Sequence, residues 1–313
     1  MNGDLASSIT QAASKQTYFT IRYLVDATRR SDAYRAYAYF RMVDDILDGT
    51  ARYRGALLHT DSPERAAFID RQRRLLDGCL RGEPPCNVSR HESMLVELVR
   101  HADLEDGSLE SYLRQMMRVM DFDAGRRGRF VTRAELDAYT RSLAVAVTDA
   151  MQYFLGNGTE ELADETRYSA VSGAHILHML RDTFVDVPAG YFNIPGELLG
   201  AQAIGPADVD SDAYRAWVAQ RLEQASSYLE AGRSYFARMP NARHRLAGLA
   251  YIARFEWLIR TIERDGFRLR PAYDERRRVT TGLRMGWNVV SQLVHLPAVS
   301  RPALPHLARD GRA

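Results

Sequence analysis

Four aspartates occur as two matched pairs. Asp44 and Asp48 end the run Tyr37-Ala-Tyr-Phe-Arg41-Met-Val-Asp44-Asp45-Ile-Leu-Asp48, and Asp182 and Asp186 repeat the spacing in His175-Ile-Leu-His178-Met-Leu-Arg181-Asp182-Thr-Phe-Val-Asp186. On a helix, Tyr37, Arg41, Asp44 and Asp48 share one stripe, and His175, His178, Asp182 and Asp186 share another. Like charges at i and i+4 cost an isolated helix roughly 0.2–0.5 kcal/mol, so a repeated pair on otherwise apolar helices calls for a compensating cation. Hard carboxylate oxygens favour Mg²⁺. Two such stripes facing each other across a bundle could hold several Mg²⁺ ions around one diphosphate and draw off its charge as it leaves. The chemistry implied is ionisation of an allylic diphosphate. Either pair alone also fits a solvated acidic helix end, with Gly49 as a helix stop after the first; the second pair shifts the reading towards a metal.

The elements that must position these groups read as helices throughout. Apolar residues recur at helical spacing, as in Leu75, Leu76, Cys79 and Leu80, or Leu246, Leu249, Ile252, Ala253 and Phe255, and long alternating strand patterns are absent. The expected helices cover 17–49, 62–80, 88–103, 108–121, 132–156, 160–187, 211–237, 241–265 and 274–296. Gly, Pro and Asn mark the breaks between them at Gly82–Pro85, Asp123–Arg129, Gly156–Gly158, Pro188–Pro206 and Pro271–Asp274. None of these breaks reads as an interdomain linker, so one all-α domain is expected over 1–296, followed by a loosely ordered tail over 297–313.

Composition removes other classes. With 46% hydrophobic and 26% charged residues the chain reads as a folded globular protein. A net charge of +2 gives no basic field for a nucleic-acid backbone. Lys15 is the only lysine among 42 basic residues, which reflects either coding bias or the suitability of guanidinium forks for diphosphate oxygens. Two cysteines, Cys79 and Cys86, are too few for a disulfide framework and suit a reducing cytoplasm. The first sixteen residues lack a basic stretch followed by an apolar one, and no run of eighteen apolar residues occurs. A cytoplasmic protein with no transmembrane segment is expected, and peripheral membrane contact is compatible with that.

Arg41-Met-Val-Asp-Asp-Ile-Leu-Asp48 and Leu180-Arg-Asp-Thr-Phe-Val-Asp186, followed by Gly190 and Asn193-Ile-Pro195, resemble the squalene/phytoene synthase family. Ser14-Lys-Gln-Thr17, the stretch from Phe130 to Tyr139 and the stretch from Ile259 to Gly266 support the likeness, which runs from Ser14 to Arg278. The resemblance implies the isoprenoid synthase (class I terpenoid synthase) helical bundle with a central active-site cavity. It implies Asp44, Asp48, Asp182 and Asp186 as Mg²⁺ ligands, with Tyr37, Arg41 and Tyr139 at the diphosphate end and Arg181 beside the second pair as a further diphosphate contact. Its partners are an isoprenyl diphosphate and a second small-molecule substrate. Asp45 is expected to support Asp44, and Asp123 resembles another family acid.

The chain also departs from that pattern. His175 and His178 stand where Gln and Asn are usual, Val145 and Thr148 replace two glycines of the run after Tyr139, Asp149 follows, and Tyr191 and Asn193 replace an arginine and a tyrosine. Val145 and Thr148 predict a narrower, more polar cavity, unless they merely favour the helix over glycine. Loss of the arginine predicts a weaker hold on two diphosphates. These expectations favour one ionisation and transfer of the prenyl group to a non-isoprenoid, aromatic acceptor of the indole or carbazole type. Asp149, His175 or His178 would take the ring proton. The alternative is head-to-head condensation of two prenyl diphosphates, and a third reading is a non-catalytic assembly factor.

Overall fold

The computed structural model describes residues 2–52, 63–102, 104–105, 107–156 and 164–273. Among them are eleven α-helices and no strands, in the order α1 (Asn2–Ala13), α2 (Lys15–Leu24), α3 (Arg30–Leu47), α4 (Pro63–Leu80), α5 (Glu92–His101), α6 (Ser108–Arg126), α7 (Arg133–Leu155), α8 (Ser169–Ala189), α9 (Gly196–Gln202), α10 (Asp212–Ala237) and α11 (Ala242–Arg264). The all-α expectation holds. No described helix is long and apolar enough to cross a membrane.

Local chemistry fixes the ends of the helices that carry the aspartates and their neighbours. At α7, Thr132 accepts from the Glu135 N–H and Glu135 returns a bond to the Thr132 N–H, a reciprocal cap that satisfies two otherwise orphan donors. Ser14 caps α2 through its Oγ, which accepts from Thr17 N at 3.2 Å. At the far end of α8 the chain turns at Gly190 with φ 87°, a left-handed conformation open to glycine at little cost. Gly128 N donates to Gly190 O at 2.8 Å and Arg127 Nε to Ala189 O at 2.8 Å, stitching the ends of α6 and α8 together. That stitch holds the second aspartate pair beside α6.

Two apolar clusters make up most of the core. One gathers Tyr39, Val43 and Leu47 of α3 with Phe68, Leu95, Leu98 and Leu113 of the helices that follow; the other gathers Leu177 and Leu180 of α8 with Val218, Leu222, Leu229 and Ile252. Helix α7 lies between them and packs on both α6 and α8. Close approach of α8 and α10 depends on glycine. A Cβ on Gly232 would sit 2.6 Å from the Ala170 Cβ, and one on Gly173 would sit 2.8 Å from the Ala225 carbonyl oxygen. Gly232→Ala is therefore expected to lower stability by about 1–3 kcal/mol through overpacking, despite alanine's better helix propensity. Urea unfolding midpoints at constant m check this.

Several expected elements differ. The single helix over 17–49 is two, α2 and α3, because Val25 turns extended and Arg30 Nη2 donates back to the Val25 carbonyl at 3.2 Å. Arg29 fastens the same corner by donating to the Tyr153 carbonyl. The corner swings α2 over the bundle, a consequence of partners far along the chain. The helix expected from 160 starts as a 3-10 turn over Glu165–Tyr168 before α8 begins. Helix α9 occupies part of the expected break at Pro188–Pro206, and α1 precedes the first expected helix. The helix expected over 274–296 and the tail over 297–313 lie outside the described residues.

Candidate active site

Helices α2, α3, α6, α7 and α8 enclose a cavity of about 760 Å³. Its acidic end gathers Arg41, Asp44 and Asp48 from α3 and its C-cap, Asp123 and Arg126 from α6, and Asp182 and Asp186 from α8. The two sequence-distant aspartate pairs thus line one cavity. Away from them the wall is largely apolar, with Ile21, Phe40, Met116, Val119, Leu143 and Phe154 among its residues, interrupted by Thr17, Thr20, His175 and His178.

Hydrogen bonds tie the acidic end together in two chains. In the first, Tyr139 Oη donates to Asp123 Oδ2 at 2.9 Å, Arg126 Nε pairs with Asp123 Oδ1 at 2.7 Å, Arg126 Nη1 donates to Asn193 Oδ1 at 2.9 Å, and Asn193 Nδ2 donates to Asp186 Oδ2 at 2.7 Å. In the second, Arg65 Nη2 approaches Tyr191 Oη at 3.4 Å and Tyr191 Oη donates to Asp48 Oδ1 at 3.2 Å. These chains orient Asp186 and Asp48. Arg41 Nη1 lies 3.1 Å from Asp44 Oδ2 and its Nη2 contacts Asp45.

Burial and mutual repulsion set the electrostatics of the acidic end. Burial, then repulsion from Asp48, pushes the Asp44 carboxyl up to about 7 against the opposing pull of Arg41. Burial also raises Asp186 to about 6, with Asn193 opposing and Asp182 adding repulsion. Carboxyls held so far above their ordinary range favour a polyvalent cation as neutraliser, and an all-oxygen donor set suits Mg²⁺. Among the described residues no three His, Cys, Asp or Glu side chains form a closed ion cage. Asp44, Asp48, Asp182 and Asp186 are the residues that would hold such a cation. Because a ligand carboxylate must be deprotonated, protons compete with the metal as pH falls through about 7 at Asp44. The Mg²⁺ concentration giving half-maximal activity is therefore expected to rise as pH drops from about 8 to about 6, which Mg²⁺ titrations at fixed ionic strength would measure.

Of the residues singled out in the sequence, Tyr37, Arg41, Asp44, Asp48, Tyr139, His175, His178, Asp182 and Asp186 line the cavity. Arg181 and Asp149 do not. Arg181 instead grips Asp182 bidentately, Nε to Oδ1 at 2.7 Å and Nη2 to Oδ2 at 2.6 Å. Asp149 is buried elsewhere, because the cavity stripe of α7 runs through Tyr139, Leu143, Val147, Ala150, Met151 and Phe154, at helical spacing that excludes it. The same periodicity removes Val145 and Thr148 from the lining. Val145 packs against the small cluster of Ala144, Tyr168 and Val171, and Thr148 Oγ1 reaches the Arg167 carbonyl at 3.4 Å. The expected narrowing of the cavity by these two residues is thus corrected.

His175 is buried, its Nδ1 lies 3.1 Å from Thr140 Oγ1, and its ring stands edge-on to Tyr139 at 4.7 Å. Burial and the nearby positive charges of Arg126 and Arg221 push it down to about 3, which makes it a poor proton acceptor at neutral pH. His178 also lines the cavity, its ring 5.0 Å from that of Phe255. Tyr191 does not strip the site of guanidinium. Its ring centroid is 5.0 Å from the Arg126 Cζ and 5.7 Å from that of Arg127, and Arg126 itself lines the cavity. Arg126 and Arg65 were not singled out in the sequence. Arg126 carried a faint signal, three residues after Asp123 on one helix face; Arg65 carried none, since its partners lie at 47, 123 and 191.

Solved structures carry the same fold. A squalene synthase, HpnC, from Alicyclobacillus acidocaldarius aligns with a TM-score of 0.64 at 17% identity, over 86% of this chain and 95% of that one. A dehydrosqualene synthase in complex with ligand aligns with a TM-score of 0.64 at 16% identity, over 94% of this chain and 96% of that one. Comparison with curated proteins gives no match. The fold is thus that of the helical isoprenoid synthases. The squalene/phytoene synthase family model matches residues 10–284, and the chain belongs to that family. It is a prenyl-transferring enzyme whose family acts on prenyl diphosphates.

Proposed function

We propose that this enzyme condenses two prenyl diphosphates head to head, with Mg²⁺ held by Asp44, Asp48, Asp182 and Asp186. The observation that carries the reading is the largely apolar wall behind the four aspartates, broken by Thr17, Thr20, His175 and His178, from which Val145, Thr148 and Asp149 are absent. With those residues outside the lining, the case for a narrow polar pocket shaped to an aromatic acceptor loses its geometric basis. Both solved relatives, a squalene synthase and a dehydrosqualene synthase, fit the same reading.

Arg41 offers a guanidinium fork to the departing diphosphate. Asp44, Asp48, Asp182 and Asp186 would hold Mg²⁺, which would supply positive charge to offset that of the departing diphosphate. The bond between the first carbon and oxygen of one substrate breaks, and the electron pair leaves with the diphosphate. The double bond nearest the diphosphate of the second substrate attacks the resulting allylic cation, and loss of one proton closes a cyclopropane. Ionisation of this second diphosphate, rearrangement and loss of another proton give a hydrocarbon. Two prenyl diphosphates thus yield one hydrocarbon, two diphosphates and two protons. The largely apolar wall keeps out water that would quench the cation, and the rings of Phe40, Tyr139 and Phe154 and the imidazole of His178 line the cavity around it.

The test supplies purified enzyme with geranyl, farnesyl or geranylgeranyl diphosphate and Mg²⁺, and identifies products by mass. Coupled hydrocarbons without any other acceptor are expected. Absence of such hydrocarbons, with prenylated product forming only once an indole or carbazole is added, would contradict the proposal.

A further inference from the structure

A second cavity, of about 460 Å³, lies on faces of α7 and α8 other than those lining the reaction cavity, and is closed by the 3-10 turn at Glu165–Tyr168 and by α10. Its wall mixes apolar and polar surface, with Asp137, Thr140, Arg141, Glu165, Arg221 and Tyr228 among its residues. The head-to-head reaction uses none of them.

Arg221 sets the character of this cavity. Its side chain is only 7% exposed, and a guanidinium carries five N–H donors. Among the described residues Nη1 donates to Gln224 Oε1 at 2.7 Å, and the carboxylate of Asp137 stands 3.9 Å away, beyond hydrogen-bond reach and half open to solvent. A buried cation without a close counter-charge is expensive to hold in a fold. Burial, the foremost cause, lowers the Arg221 pKa. The second guanidinium at the cavity, Arg141, is engaged by Glu165 at 2.7 Å, and that carboxylate is 77% exposed. Hydroxyls of Thr140, Ser172 and Tyr228 surround the remaining space. The Ser172 hydroxyl donates to the Tyr168 carbonyl at 3.0 Å and that of Thr140 pairs with His175 Nδ1 at 3.1 Å, so the buried guanidinium of Arg221 is the group whose fork matches a small tetrahedral oxyanion.

We propose that this second cavity is a binding site for a small oxyanion of the phosphate class, gripped by Arg221 and separate from the reaction cavity. The site is independent of which prenyl coupling the enzyme performs. Its sign can be tested by neutralising nearby carboxylates, because removal of negative charge at the rim must tighten an anion that Arg221 holds.

The experiment is calorimetric titration of the full chain with inorganic phosphate at constant ionic strength and without Mg²⁺. Wild type is expected to bind saturably, and Arg221→Gln to weaken binding by about tenfold or more, the loss typical of one charge-assisted contact. Glu165→Gln and Asp137→Asn, both at exposed positions, are expected to bind phosphate more tightly than wild type. Arg41→Gln, in the reaction cavity, is expected to leave the affinity unchanged. Absence of saturable binding in wild type overturns the proposal, as does loss of binding in Arg41→Gln, which would place the anion in the reaction cavity. Should Arg221→Gln fail to fold by circular dichroism, the two rim variants decide, and unchanged affinity in both overturns the proposal.

Discussion

Asp44→Asn is expected to reduce kcat/KM for the prenyl diphosphate by about a thousandfold or more, which is about 4 kcal/mol of transition-state stabilisation at 1.36 kcal/mol per tenfold. The size follows from position. Asp44 stands at the centre of the first carboxylate stripe, against Asp48 and Arg41 and across the cavity from Asp182 and Asp186. On the proposed assignment of Asp44 as a Mg²⁺ ligand, a neutral amide would remove a ligand charge where leaving-group charge develops. Stability should move the other way in metal-free protein. The Asp44 carboxyl is raised to about 7 in the folded state, so as pH rises from about 4 through about 7 the folded state progressively loses the advantage of binding that proton. At pH 8 the charged carboxylate is a burden that asparagine lacks. Melting temperature without Mg²⁺ should therefore hold or rise at pH 8 while steady-state diphosphate release collapses. Near-normal release from this variant would remove the metal assignment.

The second large effect concerns Arg126. Removing its guanidinium by Arg126→Gln is expected to destabilise the fold by about 3–5 kcal/mol, the range for breaking a buried ion pair from one side. Asp123 would lose its ion-pair partner while still enclosed with Tyr139, and Asn193 would lose the donor that fixes its amide beside Asp186. Burial already raises the Asp123 carboxyl, and loss of Arg126 should raise it further. The double variant Asp123→Asn with Arg126→Gln should be distinctly less destabilised than the sum of the two single variants, because no unpaired charge is left behind. Chemical unfolding of the four proteins measures that coupling. Strict additivity would show that the two side chains do not act as a pair.

Much of this site was legible in the chain because helical periodicity is local. The spacing of Asp44 and Asp48, and of Asp182 and Asp186, places each pair on one stripe regardless of the rest of the fold, and both stripes line the same cavity. Residues whose role depends on angle around a helix were harder to read from family position. Val145, Thr148 and Asp149 follow Tyr139 closely in sequence, but the 3.6-residue period turns them off the stripe that Leu143 and Val147 occupy, and applying that period would have shown it. Arg65 and the break between α2 and α3 depend on carbonyls and hydroxyls far along the chain, such as Tyr153 and Tyr191, so no local pattern announces them. The depressed basicity of His175 likewise comes from burial and from Arg126 and Arg221, both on other helices.

The central claim is that both halves of the product come from prenyl diphosphates. Its most direct test uses an equal mixture of unlabelled and fully deuterated farnesyl diphosphate, or of whichever chain length gives most product, with Mg²⁺ and an indole- or carbazole-type acceptor also present. Mass spectra should show a coupled hydrocarbon as a statistical set of unlabelled, half-labelled and fully labelled species, with two diphosphates released per product. Prenyl groups found singly on the aromatic acceptor, with one diphosphate per product and no half-labelled hydrocarbon, would contradict the claim.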